Sequence, residues 1–168
     1  MKTISFILLF FLASISQCFA TTVIYNGDGD IDRIINLNIN GDFYNVDFIE
    51  GSFTTVYSNQ IPTYENYSSQ DALMAIRDSL NNESPIPFTF ADSSIFGIET
   101  PRELLQDDWF GLDFITPFID SWAEPIGLVT QRDHIGNWAI ITAVPIPSAL
   151  LLLGTGLLIM LKIREGNL

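Results

Sequence analysis

The sequence I-N-L-N-I-N-G-D-F-Y-N-V-D-F at residues 35–48 decides the fold of this chain. Before its Asn-Gly dipeptide, isoleucine and leucine alternate with asparagine. After the dipeptide, Tyr44, Val46 and Phe48 alternate with polar residues. A period of two is typical of strands with one buried face, and Asn-Gly is the sequence preferred in two-residue hairpin turns. The stretch therefore predicts a β-hairpin.

Two strand registers are open for this hairpin. A loop at 40–41 pairs Leu37 with Tyr44 and Ile35 with Val46. A loop at 41–42 instead pairs Ile39 with Tyr44 and Leu37 with Val46. Both registers keep the apolar residues on one face of the sheet, so the hairpin is expected in either case.

The segments that follow predict one helix and further extended chain. Glu50-Gly51 predicts a second turn, which leads into a strand over 53–57. Ser68 or Ser69 caps a helix over 70–81. Residues 127–130 and 135–142 resemble late strands, while 107–122 stays unassigned between short helix and loop. The buried stripe of the helix is expected to be Ala72, Leu73, Ile76 and Leu80.

These elements predict an α+β fold class: a small antiparallel β-sheet, a meander, with one packed helix. A separate C-terminal transmembrane helix is added to it by the apolar residues near the end of the chain. The expected divisions are a signal peptide at 1–20, an exported acidic domain at 21–143 and a sorting segment at 144–168.

The charge between residues 21 and 144 is strongly negative. Nineteen acidic residues stand against four arginines, a net charge of −15, and lysine is absent from this stretch. Such a field repels nucleic acid phosphates and attracts cations. The composition therefore excludes nucleic acid as a partner and is typical of a soluble extracellular domain.

A calcium loop is the sharper interpretation of part of this charge. Asp28, Asp30 and Asp32 alternate through a glycine-containing turn, and calcium takes several converging oxygen ligands. The spacing fails the EF-hand template, because neither the required glycine nor the closing glutamate is present. A solvated turn leading into the first strand is therefore the preferred interpretation, with calcium as the alternative and the only cofactor that the sequence suggests.

The residue types needed for common catalytic sites are scarce. His134 is the only histidine and sits in a predicted turn, and Cys18 is the only cysteine. Nucleophilic triads and metal hydrolases need more partners than these. Carboxylates and tryptophans do cluster late in the chain, as a glycosidase requires: Asp107, Asp108, Trp109, Asp113, Asp120, Trp122 and Glu124. A chance cluster in an acidic chain is the preferred interpretation, so no enzymatic activity is expected.

The first twenty residues have the features of a secretory signal peptide. Lys2 supplies the positive start, residues 4–15 form an apolar stretch, and Cys18 and Ala20 place small residues where signal peptidase reads them. Acylation at Cys18 is the competing interpretation, but Gln17 fits a lipoprotein signal poorly. We expect cleavage after Ala20, which leaves a mature chain without cysteine.

The C-terminal residues favour a membrane-spanning helix. From Pro147 to Ile163 the sequence is almost wholly apolar, and a helix over 147–163 would be about 25 Å long. That length is at the short limit for crossing a bilayer. Lys162 and Arg164 close the segment, and basic residues at a membrane end stay cytoplasmic. A buried core helix is the alternative. Trp138, just before the segment, fits either an interfacial anchor or a core position in the last strand.

This segment resembles a PEP-CTERM sorting signal. The string V-P-I-P-S-A, the leucine-rich run with G-T-G and the basic tail match that signal in order over about 25 residues. The opening is V-P-I-P rather than P-E-P, and the tail is less basic than usual. The resemblance implies recognition by an exosortase, a membrane protease that cleaves near the prolines. The matching residues are Val144, Pro145, Pro147, Ala149, Gly154, Gly156, Lys162 and Arg164.

The expected function is that of an exported cell-surface or extracellular-matrix protein without enzymatic activity. Its partners would be signal peptidase and an exosortase during export, the lipid bilayer, and an extracellular polysaccharide. A surface-delivered calcium- or carbohydrate-binding module is the alternative, and an exported hydrolase is the third hypothesis.

Overall fold

The computed structural model describes residues 20–64, 66–91, 95, 97–106 and 108–144. By its internal contacts the chain divides into a unit Ala20–Ala143 and a second unit made of Met1–Phe19 and Val144–Leu168. The elements of the described part, in chain order, are β1 Thr22–Tyr25, β2 Ile31–Ile39, β3 Asp42–Ser52, α1 Phe53–Tyr57, α2 Ser69–Asn81, β4 Ile98–Leu104, β5 Trp109–Ile115, β6 Pro117–Phe118, β7 Ser121–Trp122, β8 Ile126–Gln131 and β9 Ile135–Ala143.

Seven of these strands form one sheet in the order β1-β2-β3-β9-β4-β5-β8, and β6 and β7 form a separate small hairpin. The broad α+β class is confirmed. The sheet is mixed rather than wholly antiparallel, because β9 inserts between β3 and β4 and runs parallel to β4. The last described strand, β9, thus joins the opening meander β1-β2-β3 to the β4-β5-β8 half.

The hairpin takes the register with its loop at 40–41. Asn40 and Gly41 both have positive φ angles, as the favoured two-residue turn requires, and Leu37 pairs with Tyr44. The predicted pairing of Ile35 with Val46 is wrong. A bulge places two residues, Ile35 and Asn36, opposite Asn45, whose side chain accepts a hydrogen bond from the Asn36 amide at 3.2 Å. The bulge moves Ile34, rather than Ile35, into the core beside Val46.

The predicted turn at Glu50-Gly51 and the strand over 53–57 are also wrong. β3 continues through both residues to Ser52, because Gly51 and Ser52 pair with the start of β9. Ser52 then caps α1, where its side chain accepts a hydrogen bond from the Thr55 amide. The aromatic and β-branched residues of this segment suggest a strand locally, but the cap and the burial of Phe53 favour a helical turn.

Helix α2 is confirmed, with Ser68 as its N-cap. Ser68 and Asp71 form a reciprocal capping box, in which each side chain bonds the backbone amide of the other. The predicted stripe of Ala72, Leu73, Ile76 and Leu80 is fully buried, and Ser69 is buried with it. The helix packs against β2, β4 and β5 and so covers one face of the sheet.

Each face of the sheet carries its own hydrophobic core. The larger core lies under α2 and is built from alternate residues of β2, β3 and β9 together with the helix stripe. The smaller core lies on the opposite face beside α1 and contains Phe53, Phe110, Leu112 and Trp138. The members of both cores among the described residues lie between Val23 and Ile141. The unit Ala20–Ala143 therefore has hydrophobic cores of its own.

The late strands are confirmed as β8 and β9, while β1 and β4 have no counterpart among the predicted elements. The unassigned stretch 107–122 is extended and supplies β5, β6 and β7. Neither helix of the described part has the length and apolar character needed to cross a membrane. The predicted spanning helix over 147–163 and the signal residues up to position 19, Cys18 among them, lie outside the described residues.

Candidate functional site

The predicted calcium residues lie in and just after the turn that joins β1 to β2. The Asn26 side chain accepts hydrogen bonds from the amides of Asp28 and Asp30, both at 2.9 Å, and Gly29 takes the positive φ angle that closes the turn. Asp32 lies in β2 and pairs with Arg33 at 3.1 Å. Within the described residues no three metal-ligating side chains come together in a group that could hold an ion.

The late carboxylates and tryptophans make separate structural contacts. Asp113 is buried beneath α2, where the Ser69 hydroxyl donates to it and Arg102 lies 3.2 Å away. Glu124 pairs with Arg77 on α2. Trp122 is buried and its indole N–H donates to the Pro87 carbonyl at 3.0 Å, whereas Trp109 is largely exposed. Asp107 lies outside the described residues. These contacts tie α2 and the loops to the sheet.

A pairing that the sequence analysis missed joins His134 to Glu99. The His134 Nε2 atom lies 3.0 and 3.1 Å from the two carboxylate oxygens of Glu99, and the imidazole also meets the edge of Trp138. Glu99 is on β4 and His134 is in the β8–β9 turn, as predicted for His134, so the pair holds this turn against the sheet. Gly136 makes room for it, because a Cβ there would collide with the Glu99 carboxylate.

Because the Glu99 carboxyl is largely buried, we expect the stability of the folded protein to depend on pH. Burial raises the pKa of Glu99 above its ordinary value of 4.5, although the hydrogen bond with His134 opposes the change. The folded state therefore holds this proton more tightly than the unfolded state. The stability that results is fully present below about pH 4.5 and is lost as the pH rises through the folded-state pKa.

We expect Glu99→Gln to gain stability relative to the wild type as the pH rises from 4.5, since glutamine cannot ionise. Urea unfolding of both proteins at a series of pH values measures this difference. Glu103→Gln, on the exposed part of the same strand, is the control. A difference between wild type and Glu99→Gln that stays constant with pH, or moves the other way, contradicts the assignment.

An open cleft of about 390 Å³ lies between β2 and α2, lined by asparagine, aspartate and apolar side chains. Three of its polar side chains are already used by the fold. The Asn38 side chain accepts from the Gly41 amide at 3.0 Å, Asn40 donates to the Asn66 carbonyl at 3.3 Å, and Asp71 closes the capping box. These three side chains are therefore engaged in the hairpin turn, the loop at Asn66 and the helix cap.

Strand β8, at one end of the seven-stranded sheet, exposes three large apolar side chains. Ile126, Leu128 and Val129 are 52, 48 and 52 % exposed. No residue of I-G-L-V-T-Q carries a charge, in a domain whose net charge is −15. Among the described strands β8 pairs with β5 alone, so the backbone groups on its outer side have no strand partner there. We call β8 the apolar edge.

The opposite end of the sheet differs. Strand β1 has four residues, Val23 is buried in the larger core, and the Tyr25 hydroxyl donates to Glu83 at 3.0 Å. Natural sheets protect their edges with short strands, charges or coverage, since an open edge is a template for another strand. Neither edge strand carries a charge, but β1 is short and partly covered, while the apolar edge is longer and exposes its apolar side chains. Geometry therefore identifies the apolar edge as the candidate interaction site.

Sequence analysis located a strand at 127–130 but not its exposure. The signal was available in part: the run I-G-L-V-T-Q has strand-forming residues without the alternation of polar side chains that a half-buried strand shows. Comparison with protein-family models, with curated proteins and with solved structures finds nothing that matches this chain.

Proposed function

We propose that this chain is an exported surface or extracellular-matrix protein without enzymatic activity, sorted by an exosortase-type system through residues 144–168. The observation that carries the proposal is the position in the sequence at which the folded unit ends. The described members of both cores lie within Ala20–Ala143, and the V-P-I-P sequence begins at the next residue. Removal of either end would therefore keep every one of these core residues in the chain.

The way the fold is stabilised supports an extracellular role. The larger core brings together 17 buried residues from strands and helix, and the smaller core adds a cluster of aromatic rings. A domain of this size can be held by such cores without disulfides. The predicted cleavage after Ala20 removes Cys18, so the mature chain needs no oxidation step in order to fold.

The use of the polar side chains supports a non-enzymatic role. Asp113, Glu124 and Glu99 each pair with a side chain of another element and so brace the fold. The exposed remainder of the acidic residues gives the surface its negative field, which favours solubility outside the cell. Among the described residues, the apolar edge offers a partner an exposed and uncharged strand.

Substituting the two prolines tests the sorting step. We expect Pro145→Ala with Pro147→Ala to leave export unchanged but to retain the C-terminal segment, so that the chain stays bound to the membrane. Ile146→Ala is the matched control, because it alters the same segment while keeping both prolines. Cell fractionation and the intact mass of the recovered chain report the result.

Two results would contradict the proposal. Equal processing of the wild type and the double-proline variant would show that the prolines are not read. Recovery of the double-proline variant, like the wild type, as a soluble cytosolic chain that keeps both ends would exclude export itself.

A further inference from the structure

We propose that two copies of this protein associate through their apolar edges, with β8 of one copy antiparallel to β8 of the other, so that the two sheets become one. This association goes beyond the proposed function, because it is a property of the folded unit and does not depend on the route of export.

The first support is the backbone. β8 is a six-residue strand whose inner side is engaged with β5 in a continuous antiparallel register from Trp109–Gln131 to Phe114–Ile126. A strand in that regular geometry presents alternate amide and carbonyl groups on its outer side. The ligand that satisfies such a row is another extended strand.

The second support is the side chains, which are apolar on both faces of the edge. Ile126 and Leu128 lie opposite Phe114 and Leu112, on the face of the smaller core, and Val129 lies opposite Gly111 on the other face. Pairing two apolar edges would cover these half-exposed side chains with a second strand: an axis at Leu128 sets Leu128 beside its counterpart, and an axis at Val129 does the same for Val129. The smaller core would then continue from one sheet into the next.

The third support is charge, and it selects a second copy as the partner. A two-fold axis at Leu128 brings Glu124 of one copy opposite Arg132 of the other, whereas an axis at Val129 brings Glu124 opposite His134, which already pairs with Glu99. Glu124 pairs with Arg77 of its own copy, but its side chain is 76 % exposed and stays accessible from outside. The register at Leu128 therefore sets an acid against an arginine at each end of the contact, while the strand between them carries no charge to repel its twin.

The negative charge on the rest of the surface opposes association, so the proposed dimer should depend on salt in a distinctive way. Two copies of net charge −15 repel each other over distances that salt screens, about 30 Å at 0.01 M and about 3 Å at 1 M. The close contact at the strand is largely uncharged. Dimerisation should therefore become stronger as the salt concentration rises, unlike an interface made chiefly of ion pairs.

Sedimentation velocity of the unit Ala20–Ala143 tests the proposal, over about three decades of concentration at low and high salt. Circular dichroism of the same samples confirms that the unit is folded. We expect a monomer–dimer equilibrium that favours the dimer at high salt. Leu128→Lys should weaken it at least ~10-fold, because lysines then meet across the two-fold axis or beside it.

The control is Ile49→Lys, at a position that is 45 % exposed on the interior strand β3. It adds the same charge at similar exposure and should leave the dimer unchanged. An equal loss with both variants would show a general effect of charge, and an unaffected dimer with Leu128→Lys would place the contact elsewhere. A folded wild type that stays monomeric under all conditions overturns the proposal.

Cross-linking separates the two-fold dimer from a head-to-tail chain. The unit Ala20–Ala143 has no cysteine, so Leu128→Cys and Val129→Cys each introduce a unique thiol. We expect oxidation to link at least one of these variants to itself. Linking only when Val129→Cys is mixed with Ile24→Cys on β1 would instead show that opposite edges meet, and would overturn the symmetric arrangement.

Discussion

Trp138→Ala is expected to lower the free energy of unfolding by about 3–5 kcal/mol, the usual cost of deleting a buried tryptophan. Trp138 is fully buried at the centre of the smaller core, in contact with the rings of Phe53, Tyr57 and Phe110. Its indole N–H donates to the Gly51 carbonyl at 2.7 Å. The substitution removes both the packing and that bond.

Two variants separate these contributions. Trp138→Phe keeps a ring but leaves the Gly51 carbonyl without its donor, and it should cost less than the alanine substitution. Trp109→Ala deletes the same side chain from a position that is largely exposed and should cost little. Urea unfolding measures all three. A loss for Trp138→Ala no greater than that for Trp109→Ala would contradict a core position and reopen the membrane-anchor interpretation.

Phe53→Ala is expected to have an effect of the same size, about 3–5 kcal/mol. Phe53 begins α1, is fully buried and stacks on Phe110 with ring centroids 4.3 Å apart and planes 17° apart. Phe118→Ala, on the exposed β6–β7 hairpin, is the matched control and should change stability little. The measurement is again the free energy of unfolding in urea.

The double variant Phe53→Ala with Phe110→Ala adds a test of the contact itself. Residues that share a packing site interact by about 0.5–3 kcal/mol in a double-mutant cycle. We expect the double substitution to cost less than the sum of the single ones. Strict additivity would mean that the two rings do not share a core, and that α1 does not lie where the structure has it.

Local signals were sufficient where the decisive residues are neighbours in sequence. Asn40-Gly41 predicts the hairpin turn because both positions need positive φ angles. Ser68 and Asp71 predict the start of α2 because their capping bonds span only three residues. The helix stripe follows from the helical period alone, and all four of its predicted residues are buried.

Local signals failed where distant parts of the chain decide the structure. The alternation of residues 35–39 continues through the bulge, which depends on Asn45 in the next strand. The sequence does not predict β4, because Pro101 lies within it and proline is rare inside strands. In the structure Pro101 adjoins a register shift opposite β5. The insertion of β9 between β3 and β4 has no local signature at all.

The candidate site shows the same division. His134 was recognisable as a turn residue, but its partner Glu99 lies 35 positions earlier and nothing in the spacing connects them. The apolar edge was recognisable as a strand, but its position at the end of the sheet depends on the order of all seven strands. The exposure that makes it an interaction surface is therefore a tertiary property.

The most direct test of the account is the intact mass of the chain recovered from a producing cell, measured together with the fraction in which it is found. The account predicts a chain outside the cytoplasm that begins at Thr21 and has lost the residues beyond the V-P-I-P sequence. A soluble cytosolic polypeptide that still carries Met1 and the whole C-terminal segment would contradict it.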